Sequence, residues 1–536
     1  MSTPRPTRPA PLAEAYRRDR LWRGETIWTA FAATAARMPS KLAVVDGSTR
    51  LTYGALAAAA ERLSAGLSRL GIGAGDAVAF QLPNWWETVV VLLATARCGA
   101  VATPVLPINR RRELGFILGQ AGARVCFAPG RYRDCDHRSL LAELRPELPA
   151  LEHVIVVRDD AGPGALPFDT VAADTGAPLH TSTDAEALAL LIYTSGTTAD
   201  PKGVLHSHET LLAEGRSLGP VHELTASDTV LMPSPLTHIS GIVHALLVPA
   251  VFGTTAVLME RWEPGVGLAL IAAERVTYMV GAPTFLRDLA RHPDLDVHDV
   301  GSFRLFSCGG ADVDPVLVRD AAARLGCVAK RVYGSTEFPT IATTGPDDPP
   351  ARRIDSEGRP IGAAEIRLVD DDGAPVRTGV EGEILARGPE CFLGHGDPAL
   401  DAEVFTPDGW FRTGDLGTVD AAGYLRITGR KKDIIIRKGE NISAREVEDL
   451  LAAHPAVAEV AVVGVPDVAA GEIACAVVRV RTGAAAPSLE ELVAYLTARG
   501  LSRRKLPERL EVVDDFPRTA SGKVLKRVLR EHFARK

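Results

Sequence analysis

The sequence predicts an α/β protein: a large, multi-subdomain N-terminal body built on parallel sheets and carrying a small β-rich subdomain, followed by a small α+β C-terminal domain. Three observations carry this expectation. Strand-like and helical periods alternate from about Thr26 to Pro104 and again from Val154 to Tyr333, the βαβ rhythm that builds parallel sheets. After Gly362 the text changes to short strands separated by Asp/Gly turns. Beyond the polar run Gly429-Arg430-Lys431-Lys432-Asp433 lie roughly 100 residues with their own helices and strands, enough to fold as a unit.

Taken in order, residues 53–70 repeat apolar side chains at helical spacing (Leu56, Leu63, Leu67, Leu70), residues 71–76 form a Gly-rich turn, and residues 78–82 are an apolar strand. Residues 86–98 run as a helix into a strand at 101–105, which completes a βαβ unit. The tandem Trp85-Trp86 at that helix start fits packing beside a core better than a binding platform. Further strands are expected at 154–157, 188–192, 230–232, 277–280, 304–307 and 331–333, with helices at 209–218, 265–274 and 316–325. The β-rich stretch has strands at 366–369, 382–386 and 424–427. The C-terminal unit has helices at 443–454 and 489–499 and strands at 460–463 and 474–480.

Composition narrows the function classes. A chain of 536 residues with 46% apolar content can bury a large core and form about three to four domain-sized units. A net charge of −7 gives no reason to expect nucleic acid or an anionic membrane as partner. The seven cysteines (Cys98, Cys126, Cys135, Cys308, Cys327, Cys391, Cys475) are scattered and form no C-x-x-C pair, so neither a disulfide framework nor a zinc site is expected. Residues 1–12 alternate Pro and Arg without an apolar run, unlike a secretory signal. The longest apolar stretch, 243–259, is broken by His244, Pro249 and Gly253 and reads as buried helix, turn and strand, not as a membrane span. The expectation is a cytoplasmic protein.

Residues 193–204 (Tyr-Thr-Ser-Gly-Thr-Thr-Ala-Asp-Pro-Lys-Gly-Val) read as a loop after an apolar strand. Its glycines let backbone N–H groups face an anion, its hydroxyls add neutral donors and Lys202 adds a point charge, which suits a polyphosphate. The Gly-x4-Gly-Lys-Ser/Thr order of the P-loop is absent. Tyr333-Gly334-Ser335-Thr336-Glu337 follows a strand and offers a hydroxyl and a carboxylate for a hard cation such as Mg²⁺, although such a string taken singly is a common helix N-cap. Gly409-Trp410-Phe411-Arg412-Thr413-Gly414-Asp415 ends in a carboxylate on a tight turn, an acceptor for two vicinal hydroxyls. Pro517-Arg518-Thr519-Ala520-Ser521-Gly522-Lys523 presents a lysine before a basic helix, and His238 follows Pro235-Leu236-Thr237. Each of these, alone, has an ordinary structural explanation.

Their joint order resembles the adenylate-forming superfamily of acyl-CoA synthetases, adenylation domains and luciferases, over about Thr26 to Arg530. Gln81-Leu82-Pro83-Asn84-Trp85-Trp86-Glu87 and the stretch 429–451 are most similar to short- and medium-chain fatty acyl-CoA and cyclohexanecarboxylate–CoA ligases. The resemblance implies an N-terminal extension (1–25), an AMP-binding domain (26–431) and a mobile C-terminal domain (432–536) that rotates about Lys432. It implies that Thr194, Ser195, Gly196, Thr197, Thr198 and Lys202 hold the β- and γ-phosphates of ATP. Tyr333, Gly334, Ser335 and Thr336 would meet the nucleotide, with Thr336 at the α-phosphate and Glu337 on Mg²⁺. Asp415 and Arg430 would take the ribose, and Gly309, Gly310 and Ala311 would flank the adenine and acyl pocket. Lys523 would bridge substrate carboxylate and α-phosphate. His238, Ile239, Ser240, Val243, Gly281, Ala282 and Phe338 would line the acyl pocket, a mixed apolar wall for an aliphatic, alicyclic or aryl acid of modest size. Lys438, Gly439 and Glu440 would form the CoA tunnel.

The implied activity is ATP- and Mg²⁺-dependent acid–CoA ligation by a monomer or homodimer. Two alternatives stay open in the sequence: an adenylating enzyme that passes its adenylate to a carrier protein or amine, and a non-catalytic nucleotide-binding regulator. Amino-acid activation is disfavoured, because the segment 235–241 lacks the Asp that pairs a substrate ammonium. Two departures from the family pattern stand out. Ala199 replaces a common Gly in the phosphate loop, at a local cost of about 1–2 kcal/mol if the position needs φ > 0. Lys438-Gly439 replaces a common Gly-Gly in the tunnel.

Overall fold

The structure, a computed structural model, describes residues 8–173, 176, 184–194, 201–311, 313–437, 440–467, 470–518 and 524–534. The chain is α/β with a large parallel-sheet body and a smaller C-terminal unit, but the parallel strands divide between two sheets. One sheet runs in the order Arg359–Pro360, Ala342–Thr343, Val328–Tyr333, Leu305–Cys308, Tyr278–Gly281, Thr229–Met232, Thr255–Leu258, Leu42–Asp46, Thr49–Thr52. Its six central strands are parallel, and antiparallel pairs close both edges. The second sheet contains the expected βαβ unit, with Ala77–Phe80 parallel to Val101–Pro104 across the helix Trp86–Cys98. Leu188–Thr194 joins this second sheet beside Val101–Pro104, whereas the strands from Thr229 onward join the first. Chain continuity hides that partition, because both sets of strands carry the same apolar βα rhythm.

Trp86–Cys98 is buried on nearly all sides, which explains its lack of a polar face, and Gly99 ends it at φ +69. Trp85 is packing: its indole N–H donates to Glu260 at 2.7 Å, and Arg158 stacks over the ring at 4.5 Å. The stretch 243–259 forms helix, turn at Gly253 and strand Thr255–Leu258, and among the described residues no helix is long and apolar enough to cross a membrane.

The N-terminal segment is docked. Helix Ala10–Arg18 buries Tyr16, the Trp22 indole donates to Pro389 O at 3.2 Å, and the Glu209 carboxylate accepts from the N–H groups of Arg23 and Gly24. The β-rich stretch is an antiparallel sheet of Glu365–Val369, Gly382–Arg387, Phe411–Val419 and Leu425–Arg430. Among the described residues, the C-terminal unit has its own five-stranded sheet and two apolar clusters drawn from residues 435–533. Ser443 joins it to the body: its hydroxyl caps helix Ala444–Ala452 and donates to Thr428 O at 2.8 Å.

Candidate active site

Parallel strands Tyr278–Gly281, Leu305–Cys308 and Val328–Tyr333 finish along one edge of the first sheet, with Gly281 beside Cys308 and Cys308 beside Arg331. Open α/β sheets place ligands outside such carboxyl ends. The segments leaving this edge are Gly281-Ala282, Gly309-Gly310-Ala311 and Tyr333–Glu337, so the fold brings these candidates together. Glycine is required at 309, where a Cβ would lie 2.5 Å from Val332 O. Gly310 adopts φ +77, which favours glycine.

Asp415 reaches the same edge from the β-rich sheet. The Thr-Gly-Asp motif is not the expected tight turn but part of the continuous strand Phe411–Val419. Leu385 pairs with Arg412 and Glu383 with Leu416, so residues 413–415 face Ile384 alone and form a bulge, with Gly414 at φ +72. Thr413 Oγ1 braces it by donating to Ile384 O at 2.8 Å and accepting from Asp415 N at 3.1 Å. Asp415 is 4% exposed. Its Oδ1 takes Arg430 Nε at 2.7 Å, and its Oδ2 accepts from the Tyr333 hydroxyl at 2.8 Å. Burial and the neighbouring Asp415 charge push the Tyr333 phenol well above its ordinary range, so it stays a donor at neutral pH. Each carboxylate oxygen keeps a further lone pair, enough for two vicinal hydroxyls.

The Tyr333–Glu337 string is not a helix N-cap. The chain folds back, with Ser335 N donating to Phe338 O at 2.9 Å and Ile341 N to Tyr333 O at 2.8 Å. A Cβ at Gly334 would lie 2.0 Å from Pro339 O, so the reversal needs glycine. The Glu337 side chain is only partly buried, which leaves its carboxylate open to a hard cation. A cation there would be held by the Glu337 carboxylate, with water and phosphate oxygens of a bound nucleotide as further hard ligands, an oxygen set that suits Mg²⁺. Phe338 is buried among the body's apolar residues, as are Ile239 and Val243, and a Cβ on Gly388 would lie 2.7 Å from its ring.

Both ends of the phosphate segment are strand, not loop. Leu188–Thr194 pairs antiparallel with Lys202–Ser207, and Thr194 lies opposite Lys202. Ser195, Gly196, Thr197, Thr198 and Ala199 lie outside the described residues, as do Lys438, Gly439 and Lys523. Lys432 falls in the short turn Lys431–Asp433 between the β-rich sheet and the C-terminal unit, and Glu440 opens the strand Glu440–Ser443; their side chains are also outside the described set.

His238 caps the short helix Ile239–Ile242, its Nδ1 lying 3.3 Å from Ser240 N and 2.9 Å from Ser240 Oγ. Burial pulls its pKa down to about 4, so the ring is neutral at pH 7. Ile239 and Val243 are buried on this helical segment. Sequence reasoning missed the residue that fixes the approach to His238. Asn84, 3% exposed, donates to the carbonyls of Met232, Ser234 and Met259 at 2.9–3.1 Å and accepts from Leu236 N at 2.7 Å. The only signal was a polar residue between an apolar strand and an apolar helix. Asn84→Leu strands those backbone groups and is expected to cost about 3–5 kcal/mol in a urea titration. A loss below about 1 kcal/mol would show that water replaces the amide.

Two carboxyls lie buried behind the Tyr333–Glu337 loop. Glu214 Oε2 accepts from Thr340 N at 3.2 Å, and Glu390 Oε1 accepts from the Ser217 hydroxyl. Glu214 Oε1 and Glu390 Oε2 are buried without partners among the described residues. Desolvation, then the charge of Glu390, pushes Glu214 up to about 8, and desolvation pushes Glu390 up to about 7. The folded protein therefore holds protons that the unfolded chain has released. This contribution to stability is complete below the ordinary carboxyl range and is lost as pH rises toward 8. Glu214→Gln should flatten that loss, seen as a smaller drop in urea midpoint from pH 5 to pH 8; an unchanged drop would refute the assignment.

The sheet-edge arrangement is that of a nucleotide-handling enzyme. The chain matches the AMP-binding enzyme family over residues 31–395 and the AMP-binding enzyme C-terminal domain over 446–523, and it belongs to that family. It is 38% identical to a medium-chain fatty-acid–CoA ligase of Escherichia coli K12 over 97% of this chain and 93% of the relative. It is 35% identical to a salicylyl-CoA synthase / salicylate adenylyltransferase of a Streptomyces species, over 98% and 96%. The ATP-bound structure of MatB from Rhodopseudomonas palustris superposes with a TM-score of 0.85 at 30% identity, covering 95% of this chain and 99% of that one.

Proposed function

We infer that the chain activates a carboxylic acid as its acyl-adenylate, releasing pyrophosphate, and then transfers the acyl group to coenzyme A. The observation that carries this reading is the buried Asp415, held by Tyr333 and Arg430 at the edge where the parallel strands end, in a chain that aligns over nearly its whole length with ligases of this chemistry. The named substrates of two relatives, a medium-chain fatty acid and salicylate, support an aliphatic, alicyclic or aryl acid of modest size here.

In this reading the body (26–431) binds ATP and acid, and the C-terminal domain (432–536) pivots at Lys432. Asp415 and Arg430 take the ribose diol; Gly309, Gly310 and Ala311 let the adenine lie against backbone. The segment from Thr194 to Lys202 holds the β- and γ-phosphates, and Thr336 meets the α-phosphate. His238, neutral, sits on the acyl side with Ile239, Ser240, Val243, Gly281 and Ala282. The acid needs no general base, because a carboxylate is already ionised at pH 7. One of its oxygens bonds to the α-phosphorus as the α–β P–O bond breaks, and pyrophosphate leaves. The obstacle is repulsion between anions; Glu337 would hold the Mg²⁺ of MgATP, which would supply countercharge there. Lys202 and Lys523 add fixed positive charge, and the segment and loop supply orientation. The CoA thiolate, entering past Lys438, Gly439 and Glu440, then attacks the acyl carbonyl and expels AMP.

The test is a panel of acids assayed for AMP, pyrophosphate and thioester, with and without CoA. Acid-dependent pyrophosphate release and a CoA-dependent thioester are expected. Turnover with no thioester, or transfer to a carrier protein alone, would overturn the CoA step.

A further inference from the structure

The two segments assigned to the phosphates come from different sheets, and one buried side chain ties them together. His206 lies on the strand Lys202–Ser207, four residues after Lys202, with no solvent exposure. Its Nε2 is 2.8 Å from the carbonyl oxygen of Thr336, and its Nδ1 is 3.1 Å from Thr210 Oγ1. A carbonyl can only accept, so Nε2 carries the proton, and Nδ1 takes the Thr210 hydroxyl. Burial pulls His206 down to about 4, so this neutral tautomer holds throughout the physiological range. The next carbonyl, of Glu337, accepts from Phe392 N at 2.8 Å. Two successive peptides of the Thr336–Glu337 loop are thus anchored to the body, one by a backbone donor and one by His206.

We propose that His206 is a positioning residue for the adenylation step, fixing Thr336 and Glu337 at a set distance from the paired strand ends Thr194 and Lys202 so that one triphosphate can engage both sides. The proposal rests on the nucleotide reading above. The strand that carries His206 also carries Lys202 and pairs with the strand ending at Thr194, so its imidazole transmits the position of that strand pair to the opposite loop. Loss of the Nε2 bond leaves the Thr336 carbonyl unsatisfied and frees the loop to shift, and small misplacements cost large factors in rate.

Two variants of similar polarity separate the contacts. In His206→Gln the amide nitrogen takes the place of Nε2 and can still donate to Thr336; in His206→Asn it takes the place of Nδ1 and cannot. The assays are acid-dependent ATP–pyrophosphate exchange, equilibrium binding of MgATP by calorimetry, and thioester formation from supplied acyl-adenylate. His206→Asn is expected to slow exchange about 30-fold and weaken MgATP about 10-fold, with thioester formation within about threefold of wild type. His206→Gln should recover most of the exchange rate. The proposal fails if the Asn variant exchanges within twofold of the Gln variant, or if both half-reactions fall together. If the wild type binds MgATP but shows no exchange with any acid, the adenylation reading alone is lost, and equal MgATP affinities of the two variants would then overturn the role of His206. A wild type that does not bind MgATP overturns both.

Discussion

Replacing Lys523 by alanine is expected to lower acid-dependent pyrophosphate release by about 10²–10³-fold while leaving thioester formation from supplied acyl-adenylate within about threefold of wild type. The asymmetry follows from the charge in each step. In the first, an anionic carboxylate approaches a phosphorus surrounded by anionic oxygens, and a lysine bridging the two lowers that repulsion as the new P–O bond forms. In the second, the thiolate attacks a neutral carbonyl and the leaving group is AMP, so a charge at the α-phosphate contributes far less. In the proposed reading the C-terminal domain pivots between the two steps, with Lys523 serving the first and the Lys438–Glu440 segment the second. Quenched-flow measurement of each half-reaction decides the matter. Equal losses in both would make Lys523 a structural residue and would remove the argument for two arrangements about Lys432.

What the sequence disclosed, and what it withheld, follows from the range of the interactions. The βαβ unit around Trp86–Cys98 and the strands ending at Gly281, Cys308 and Tyr333 were legible because each rests on local periodicity and a local turn. The order of motifs was legible for the same reason, each being a short contiguous string. Strand partition between the two sheets was not: Leu42–Asp46 pairs with Thr255–Leu258, more than two hundred residues away, and nothing in either segment names the other. The bulge at Gly414 read as a turn because Thr-Gly-Asp is turn chemistry, and only the pairing with Glu383 and Leu385 shows the strand continuing. Asn84 and His206 were invisible as site residues because their roles lie in backbone groups they reach from other elements, Met232 and Met259 for one and Thr336 for the other.

Asp415→Asn is the second large effect, and its signature differs from that of Lys523→Ala. The carboxylate has two oxygens already committed once each, to Arg430 Nε at 2.7 Å and to the Tyr333 hydroxyl at 2.8 Å, so its remaining lone pairs are the ones offered to ribose. An amide keeps the volume but replaces one acceptor with a donor, which must then face either the Arg430 guanidinium or the Tyr333 O–H. Hydrogen bonds to a charged acceptor contribute about 1.5–3 kcal/mol each, so losing one or both ribose contacts should weaken ATP by about 10–10⁴-fold. Ribose stands away from the reacting phosphorus, and its contacts are equally present in ground and transition state. The loss should therefore fall on KM for ATP, with kcat at saturating ATP changed by less than about tenfold. Because Asp415 also anchors the bulge between two strands, the variant's urea midpoint must be measured beside its kinetics. A raised KM with a near-normal midpoint identifies Asp415 as the ribose acceptor. A fall in kcat with KM unchanged would instead place it in the transition state, and would move the ribose to another part of the sheet edge.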